Sequence, residues 1–320
     1  MRRLLVTAVL ALLAPAIAPA QTFPDKPIRL VIGYPPGGGI DVTGRLIADH
    51  LSRELRQPVV VENRAGAGGQ IGADAVSKSR ADGYTLLFTV GSDLTWTRFM
   101  TRRKTIDPLT ELTPLATAVA SVSGLAVDAG SPYRTLRDLV GYGRANPGKL
   151  TYGTAGLQTV YYLYGEMLRQ NGLSMTHVPY TGTPPIVPAL LAHEIDVGAL
   201  TLAIARPLAD GGKLRLLAVF DPTRFAATPD VPAIKEVLPG FNAPVSWFGF
   251  FAPPHLPEAI GRRLNADVAK AVQAPEIGQK IAAQSQRPMI TPYDQMRPLM
   301  QQTTEIFHSL IVAANIQPLD

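Results

Sequence analysis

Tyr34-Pro35-Pro36-Gly37-Gly38-Gly39-Ile40-Asp41 lies between an apolar run, Ile28 to Ile32, and a segment with helical periodicity. The run is short and rich in β-branched residues, so it reads as a buried strand. Past the glycines, Ile40, Ile47, Leu51 and Leu55 recur at helical spacing, with Asp49, Arg53 and Arg56 between them. A strand therefore passes through Pro-Pro-Gly-Gly-Gly straight into a helix. Residues without Cβ atoms let a ligand approach the backbone, and the first turn of the helix offers unpaired N–H donors at the positive end of its dipole. The expectation is a site for an anion, most simply a carboxylate. The alternative is a flexible turn, since connections in α/β units are often glycine-rich.

Phosphate-binding motifs fit this stretch poorly. A P-loop needs Gly-Lys followed by Ser or Thr, and no lysine is present. A dinucleotide fingerprint needs a third glycine where Val42 stands. The second cluster, Gly66-Ala67-Gly68-Gly69-Gln70-Ile71-Gly72, places its third glycine one residue late.

The chain opens with Arg2-Arg3, an apolar run from Leu4 to Leu13, and Ala18-Pro19-Ala20 before Gln21. A basic start, a short apolar core and an A-x-A end describe a secretory signal peptide over residues 1–20, so the mature chain is expected to begin at Gln21. An uncleaved membrane anchor is the alternative reading. There are no cysteines among the 320 residues, which excludes a lipoprotein anchor and any disulfide. The fold must then rest on a packed core, for which some 300 mature residues suffice. Net charge is +5, of which Arg2 and Arg3 supply two. The rest is dispersed, and the Arg98, Arg102-Arg103-Lys104 cluster reads as a solvated face, so no nucleic-acid partner is expected.

From Ile28 to Val90 the order is strand, helix, strand, helix, strand, which implies parallel pairing with right-handed crossovers. Ligands in such sheets bind beyond the carboxyl ends of the strands, so the loop after the third strand, Gly91-Ser92-Asp93, should stand near Gly37 to Gly39. A second unit repeats the logic: a strand at Leu150 to Tyr152, a small-residue loop Gly153-Thr154-Ala155-Gly156, and a helix from Gln158 to Gln170. Thr154 and Thr159 add hydroxyls able to meet an anion, although Thr154 could equally be an ordinary helix cap. Two α/β units joined near Leu115 to Val127 and again near Leu214 to Phe251 give two lobes with a cleft between them. Each lobe is expected to be a mostly parallel sheet flanked by helices, with residues 21–120 and 222–320 in the first and 121–221 in the second.

Seven ordered blocks carry a resemblance that spans the mature chain. They begin at Phe23 to Val31, Tyr34 to Asp41 and Val61 to Gly69. They continue through His177-Val178-Pro179-Tyr180-Thr181-Gly182, Lys213 to Val219, Leu238 to Phe241, and Trp247 to Pro253. The sequence resembles the Bug (TctC-like) receptors of tripartite tricarboxylate transporters. That resemblance implies a periplasmic two-lobed binding protein of the Venus-flytrap type, which captures a carboxylated metabolite and delivers it to an integral-membrane permease. It implies a monomer, no cofactor and no metal. By match, the first loop contributes Tyr34, Pro36, Gly37, Gly38 and Gly39, with Asp41 fixing the loop or receiving a ligand's amino or hydroxyl group. Ser92 stands after the third strand, and Thr154, Gly156, Thr159 and Thr181 belong to the second unit. Ile40 replaces the family's usual threonine, and Gln158 and Tyr162 replace glycine and histidine. With Tyr161 and Tyr164 nearby, the ligand could be a bulkier or aromatic carboxylate as well as a di- or tricarboxylate or an amino-acid-like acid, unless these tyrosines simply pack the helix.

Catalytic motifs are missing from the chain: there is no G-x-S-x-G, no H-E-x-x-H and no cysteine ligand set. His193-Glu194-Ile195-Asp196 falls at a helix end, where a histidine suits the dipole without a metal. Trp247 and Phe248 read as packing residues of an interlobe strand. A secreted hydrolase whose residues assemble only in three dimensions, or a receptor serving a membrane sensor, are the alternatives to a transport receptor.

Overall fold

The computed structural model describes residues 23–318, so the signal-peptide expectation lies outside the described residues. The chain first builds β1 (Ile28–Ile32), α1 (Gly39–Leu55), β2 (Val59–Asn63), α2 (Gln70–Ser77), β3 (Thr85–Val90) and α3 (Gly91–Met100). It then crosses on two consecutive strands, β4 (Thr113–Ser121) and β5 (Ser123–Asp128), separated only by Val122. The second unit follows as α4 (Leu136–Ala145), β6 (Thr151–Thr154), α5 (Val160–Gln170), β7 (Thr176–Pro179), α6 (Ile186–Leu191), β8 (Val197–Thr201), α7 (Leu202–Asp210) and β9 (Leu214–Val219). After an irregular stretch the chain returns as β10 (Ser246–Ala252), α8 (Glu258–Gln273), α9 (Pro275–Ala283), β11 (Gln286–Pro288) and α10 (Tyr293–Ala314).

Two sheets result, one ordered β11-β4-β10-β3-β1-β2 and the other β7-β6-β8-β5-β9. Both are mixed, where mostly parallel sheets were expected. Strands β2, β1 and β3 run parallel, but β10 is antiparallel to β3 and to β4, and β11 is antiparallel to β4. In the second sheet β7, β6 and β8 are parallel and β5 is antiparallel to both β8 and β9. The antiparallel members include the strands on which the chain enters and leaves a lobe. Of these, β5 and β10 arrive from the other lobe, without the helical crossover that joins parallel neighbours.

Each sheet is buried on both faces, which is why its strands read as continuous apolar runs. On β1, Ile28, Leu30 and Ile32 face α1 and α8, while Val31 faces α2 and α10. The helices answer with Ile47, Leu51 and Leu55, with Leu264 and Val268, and on the other side with Ala73, Val76, Met296 and Met300. In the second lobe α4 and α5 cover one face, and α6 and α7 the other.

Two helices straddle the seam between the lobes. Leu94 of α3 packs in the first lobe, yet Trp96 and Met100 enter the core of the second. On α10, Met296 and Met300 belong to the first lobe, and Phe307 and Ile311 to the second. The rings of Trp96 and Phe307 meet with centroids 6.2 Å apart, and both side chains are fully buried. A cavity left there weakens both lobes at once. Trp96→Ala should therefore lower the unfolding free energy by about 3–5 kcal/mol, measured by urea denaturation; a loss below about 1 kcal/mol would mean that this seam is not part of the core.

Candidate functional site

The loop from Tyr34 to Gly39 is held by Asp41, in the first turn of α1. Its carboxylate accepts the Gly37 N–H at 3.0 Å, Arg45 Nε at 3.0 Å and Asn63 Nδ2 at 2.8 Å. Asn63 Nδ2 also donates to the Tyr34 carbonyl at 3.0 Å, and Arg45 Nη2 donates to Asn63 Oδ1 at 2.7 Å. Burial raises the pKa of Asp41, but the bonds from Arg45, Asn63 and Gly37 outweigh it and hold the carboxyl below the usual range. Of the two roles open to Asp41, fixing the loop is the one its bonds perform. Gly37 adopts φ +82°, which only glycine takes readily, so the loop can turn sharply into the helix.

Beyond the carboxyl ends of β1, β3, β6 and β8 the lobes enclose a cavity of about 40 Å³, room for about three waters. The first lobe lines it with Tyr34, Gly39 and Ile40, with Val90 and Asp93, and with Ser246 and Phe248 of β10. The second lobe contributes Ala155, Thr159, Val160 and Tyr161 at the start of α5, Thr183, and Thr201 where β8 meets α7. The N-termini of α1, α5 and α7 thus converge here, each with first-turn N–H groups that lack intrahelical acceptors. The hydroxyl of Thr201 is buried and has no hydrogen-bond partner. Among the described lining residues there is no Lys, Arg or His.

Asp93 closes the seam. Its Oδ2 accepts the Tyr34 hydroxyl at 2.5 Å, and its Oδ1 accepts the Val160 N–H at 3.0 Å, so one carboxylate ties the first-lobe loop to the N-terminus of α5. One turn on, Thr97 Oγ1 donates to the Gln158 carbonyl at 3.0 Å. Burial pushes the Asp93 carboxyl up to about 7, against the two hydrogen bonds that favour its ionised form.

A second cavity of about 160 Å³, termed the outer opening, shares Tyr34 and Ala155 with the first. It is lined by Pro35 and the turn from Gly66 to Gly69 on one side, and by Gly156, Gln158 and the Tyr180-Thr181-Gly182 turn on the other. A Cβ at Gly68, which has φ +61°, would sit 2.3 Å from the Gln158 carbonyl oxygen, so the second glycine cluster serves the close approach of the two lobes.

The expected site residues divide into four groups. Tyr34, Gly39 and Thr159 line the inner cavity; Gly156 and Thr181 line the outer opening. Gly38 abuts the second lobe, with Thr183 Oγ1 and Pro184 Cδ 3.8 and 3.9 Å from where its Cβ would stand. The remainder serve elsewhere. Pro36 and Gly37 are exposed, and Asp41 is committed to the loop. Ser92 is buried with its hydroxyl 3.4 Å from that of Ser246. The Thr154 hydroxyl is bonded to His177 Nε2 at 2.6 Å and accepts the Gly156 N–H at 3.2 Å. Burial pushes that histidine down to about 4, so it stays neutral.

Several wall residues take places or roles that residue order does not assign them. Asp93 was expected on a loop, but β3 runs directly into α3 and places it in a helical first turn. Thr201 and the whole of α7 escaped because Pro207 interrupts the helical pattern. The tyrosines split: Tyr164 is core and donates to the Pro244 carbonyl at 2.9 Å, Tyr162 stands against His177, and Tyr161 joins the cavity wall. Phe248 lines the cavity instead of only packing the interlobe strand. Asp196, in the run from His193 that reads as a helix end, accepts both the N–H and the hydroxyl of Thr151 at 2.8 Å.

Two outcomes follow from this geometry. Asp41→Ala frees the loop and should weaken ligand binding at least tenfold by calorimetry, since it removes several charge-assisted hydrogen bonds each worth about 1.5–3 kcal/mol. Asp93 has a folded pKa above its unfolded value, so its contribution to stability is full below pH about 4 and is lost as the pH rises through about 7. Asp93→Asn removes this dependence. The melting temperature of the variant, relative to the parent, should rise between pH 5 and pH 8; a flat difference would show that Asp93 does not titrate there.

Residues 43–316 match the family described as "Tripartite tricarboxylate transporter family receptor". A Cupriavidus necator protein of the UPF0065 group is 38% identical over 278 residues, which is 86% of this chain and 84% of that one. The solved structure of R. palustris Rpa4515 with adipate superposes with a TM-score of 0.87 at 29% identity, covering 93% of this chain and 100% of the other. MatC from Rhodopseudomonas palustris with bound malate superposes with a TM-score of 0.80 at 26% identity, covering 90% and 100%. With its two mixed sheets and interlobe cavity, the chain belongs to the TctC family of solute-binding receptors, with the two-lobed fold of periplasmic binding proteins.

Proposed function

We propose that the protein captures a small organic acid between its lobes in the periplasm, after removal of residues 1–20, and hands it to the membrane permease of a tripartite transporter. The observation that carries this reading is the convergence of three helix N-termini and the unpartnered Thr201 hydroxyl on one interlobe cavity. Backbone N–H groups and a hydroxyl at the positive ends of helices favour a carboxylate without any basic side chain. Carboxylates bound to the two R. palustris relatives, adipate in one and malate in the other, support the same chemistry.

Ligand binding shifts the protein from an open to a closed arrangement by the difference in its affinity for the two. Strands β4 and β5, joined through Val122, and the segment 220–245 are the connections about which the lobes turn. Gly39 sits where they meet: a Cβ there would lie 3.2 Å from both Ala203 Cβ and Thr201 Oγ1. At Gly38 an added methyl meets only ordinary contacts, so Gly39 is the more sensitive position.

Native mass spectrometry of the mature protein, followed by thermal shifts against mono-, di- and tricarboxylates, tests the reading. A co-purified acid, or a stabilisation of several degrees by one class of carboxylate that is lost in Gly39→Val, is the expected result. No response to any carboxylate, or an undiminished response in Gly39→Val, would overturn it.

A further inference from the structure

Among the described wall residues of the inner cavity one carries a carboxyl group, and it has the sign of the expected ligand. Asp93 is 3% exposed, and neither the hydroxyl of Tyr34 nor the N–H of Val160 that it accepts brings a charge. No Lys, Arg or His lines the space around it. A buried carboxylate without a cationic partner is costly, and a ligand carboxylate entering beside it adds like-charge repulsion. Each oxygen of Asp93 accepts a single hydrogen bond from the protein, so each retains a lone pair. Around it stand Ser246, a further acceptor, and the aromatic rings of Tyr34, Tyr161 and Phe248. A carboxylate framed by aromatic rings, with no basic residue, is a site for a cationic nitrogen.

Resting on the carboxylate reading above, we propose that the ligand is a zwitterionic acid whose ammonium group, primary or methylated, is held by Asp93. Its carboxylate then meets the N-termini of α1, α5 and α7 and the Thr201 hydroxyl. The ligand brings the missing positive charge to Asp93 and the negative charge that the helix ends attract. Asp93 is thus the residue that selects amino acids or betaines over plain acids. The lack of a basic side chain among the described lining residues fits the same pairing, because an Arg or Lys in the wall would occupy Asp93 itself.

The test compares matched pairs by titration calorimetry on the mature protein: β-alanine with propionate, 4-aminobutyrate with butyrate, glycine betaine with acetate, and succinate and malate as dianions. At least one nitrogen-bearing acid should bind tenfold or more tightly than its unsubstituted partner, and this ratio should fall to within threefold in Asp93→Asn. The ratio separates selection from structure, since a general loosening of the seam weakens both members of a pair. If the variant fails to fold, the parent protein decides by titration in two buffers of different ionisation enthalpy near pH 7. Burial pushes Asp93 up to about 7, and the facing tyrosines, Tyr34, Tyr161 and Tyr164, are all raised above their ordinary values and stay neutral. A cationic nitrogen therefore drives a proton off Asp93 and releases it to the buffer. Tighter binding of the unsubstituted acids or dianions, a ratio that survives Asp93→Asn, or proton uptake would overturn the proposal while leaving the carboxylate reading intact. Silence toward every acid would overturn both.

Discussion

A single buried carboxylate joins the two lobes. Asp93 receives a tyrosine hydroxyl from the loop that precedes α1 and a backbone N–H from the first turn of α5, so the two carboxyl-end loops cannot separate without breaking both bonds. The arrangement works because α3 begins with no intervening loop after β3, which fixes the carboxylate in the first turn of a helix where negative charge is stabilised. Around that point the glycines do mechanical work. Gly39 and Gly68 let one lobe approach the backbone and methyl groups of the other at distances a side chain would forbid. Closure, cavity size and the aim of the helix N-termini all depend on that approach.

The seam is also where the lobes share their hydrophobic cores. Trp96 and Phe307 leave elements that start in the first lobe and finish in the second, so part of the packing must slide or hinge when the cleft opens. Fully buried rings of this size contribute several kcal/mol to stability, which makes the closed arrangement a packed state and not a loose apposition. In the proposed opening, interlobe hydrogen bonds such as those of Asp93 and Thr97 are exchanged for hydration. Ligand energy has only to bias this exchange, because hinged proteins respond to the difference in affinity between states.

Much of the architecture was legible from residue order. Apolar runs such as Ile28 to Ile32 and Ser246 to Pro253 are buried on both sheet faces and so carry no competing polar pattern. The Pro-Pro-Gly-Gly-Gly stretch announced a strand-to-helix turn by its composition alone. What escaped were features set by neighbours distant in sequence. Whether a strand pairs parallel or antiparallel depends on the lobe from which it arrives, and that is invisible in its own residues. Asp93 looked like a loop polar residue because Ser92 and Asp93 follow a glycine, and only the register of β3 shows that the helix has already begun. Thr154 and Ser92 have the right chemistry for a ligand but turn to His177 and Ser246, choices made by packing. Gly39 and Thr159 stand where residue order puts them, because each opens a helix that follows a strand.

A crystal structure of the mature protein with its co-purified or best-binding acid tests the central claim most directly. The account predicts the ligand in the inner cavity behind Tyr34 and Ala155, its carboxylate within hydrogen-bonding distance of the first-turn N–H groups of α1 and α5 or of the Thr201 hydroxyl. A ligand seated wholly in the outer opening between Pro35 and Gly182, or one whose carboxylate is met by a basic side chain, would contradict it.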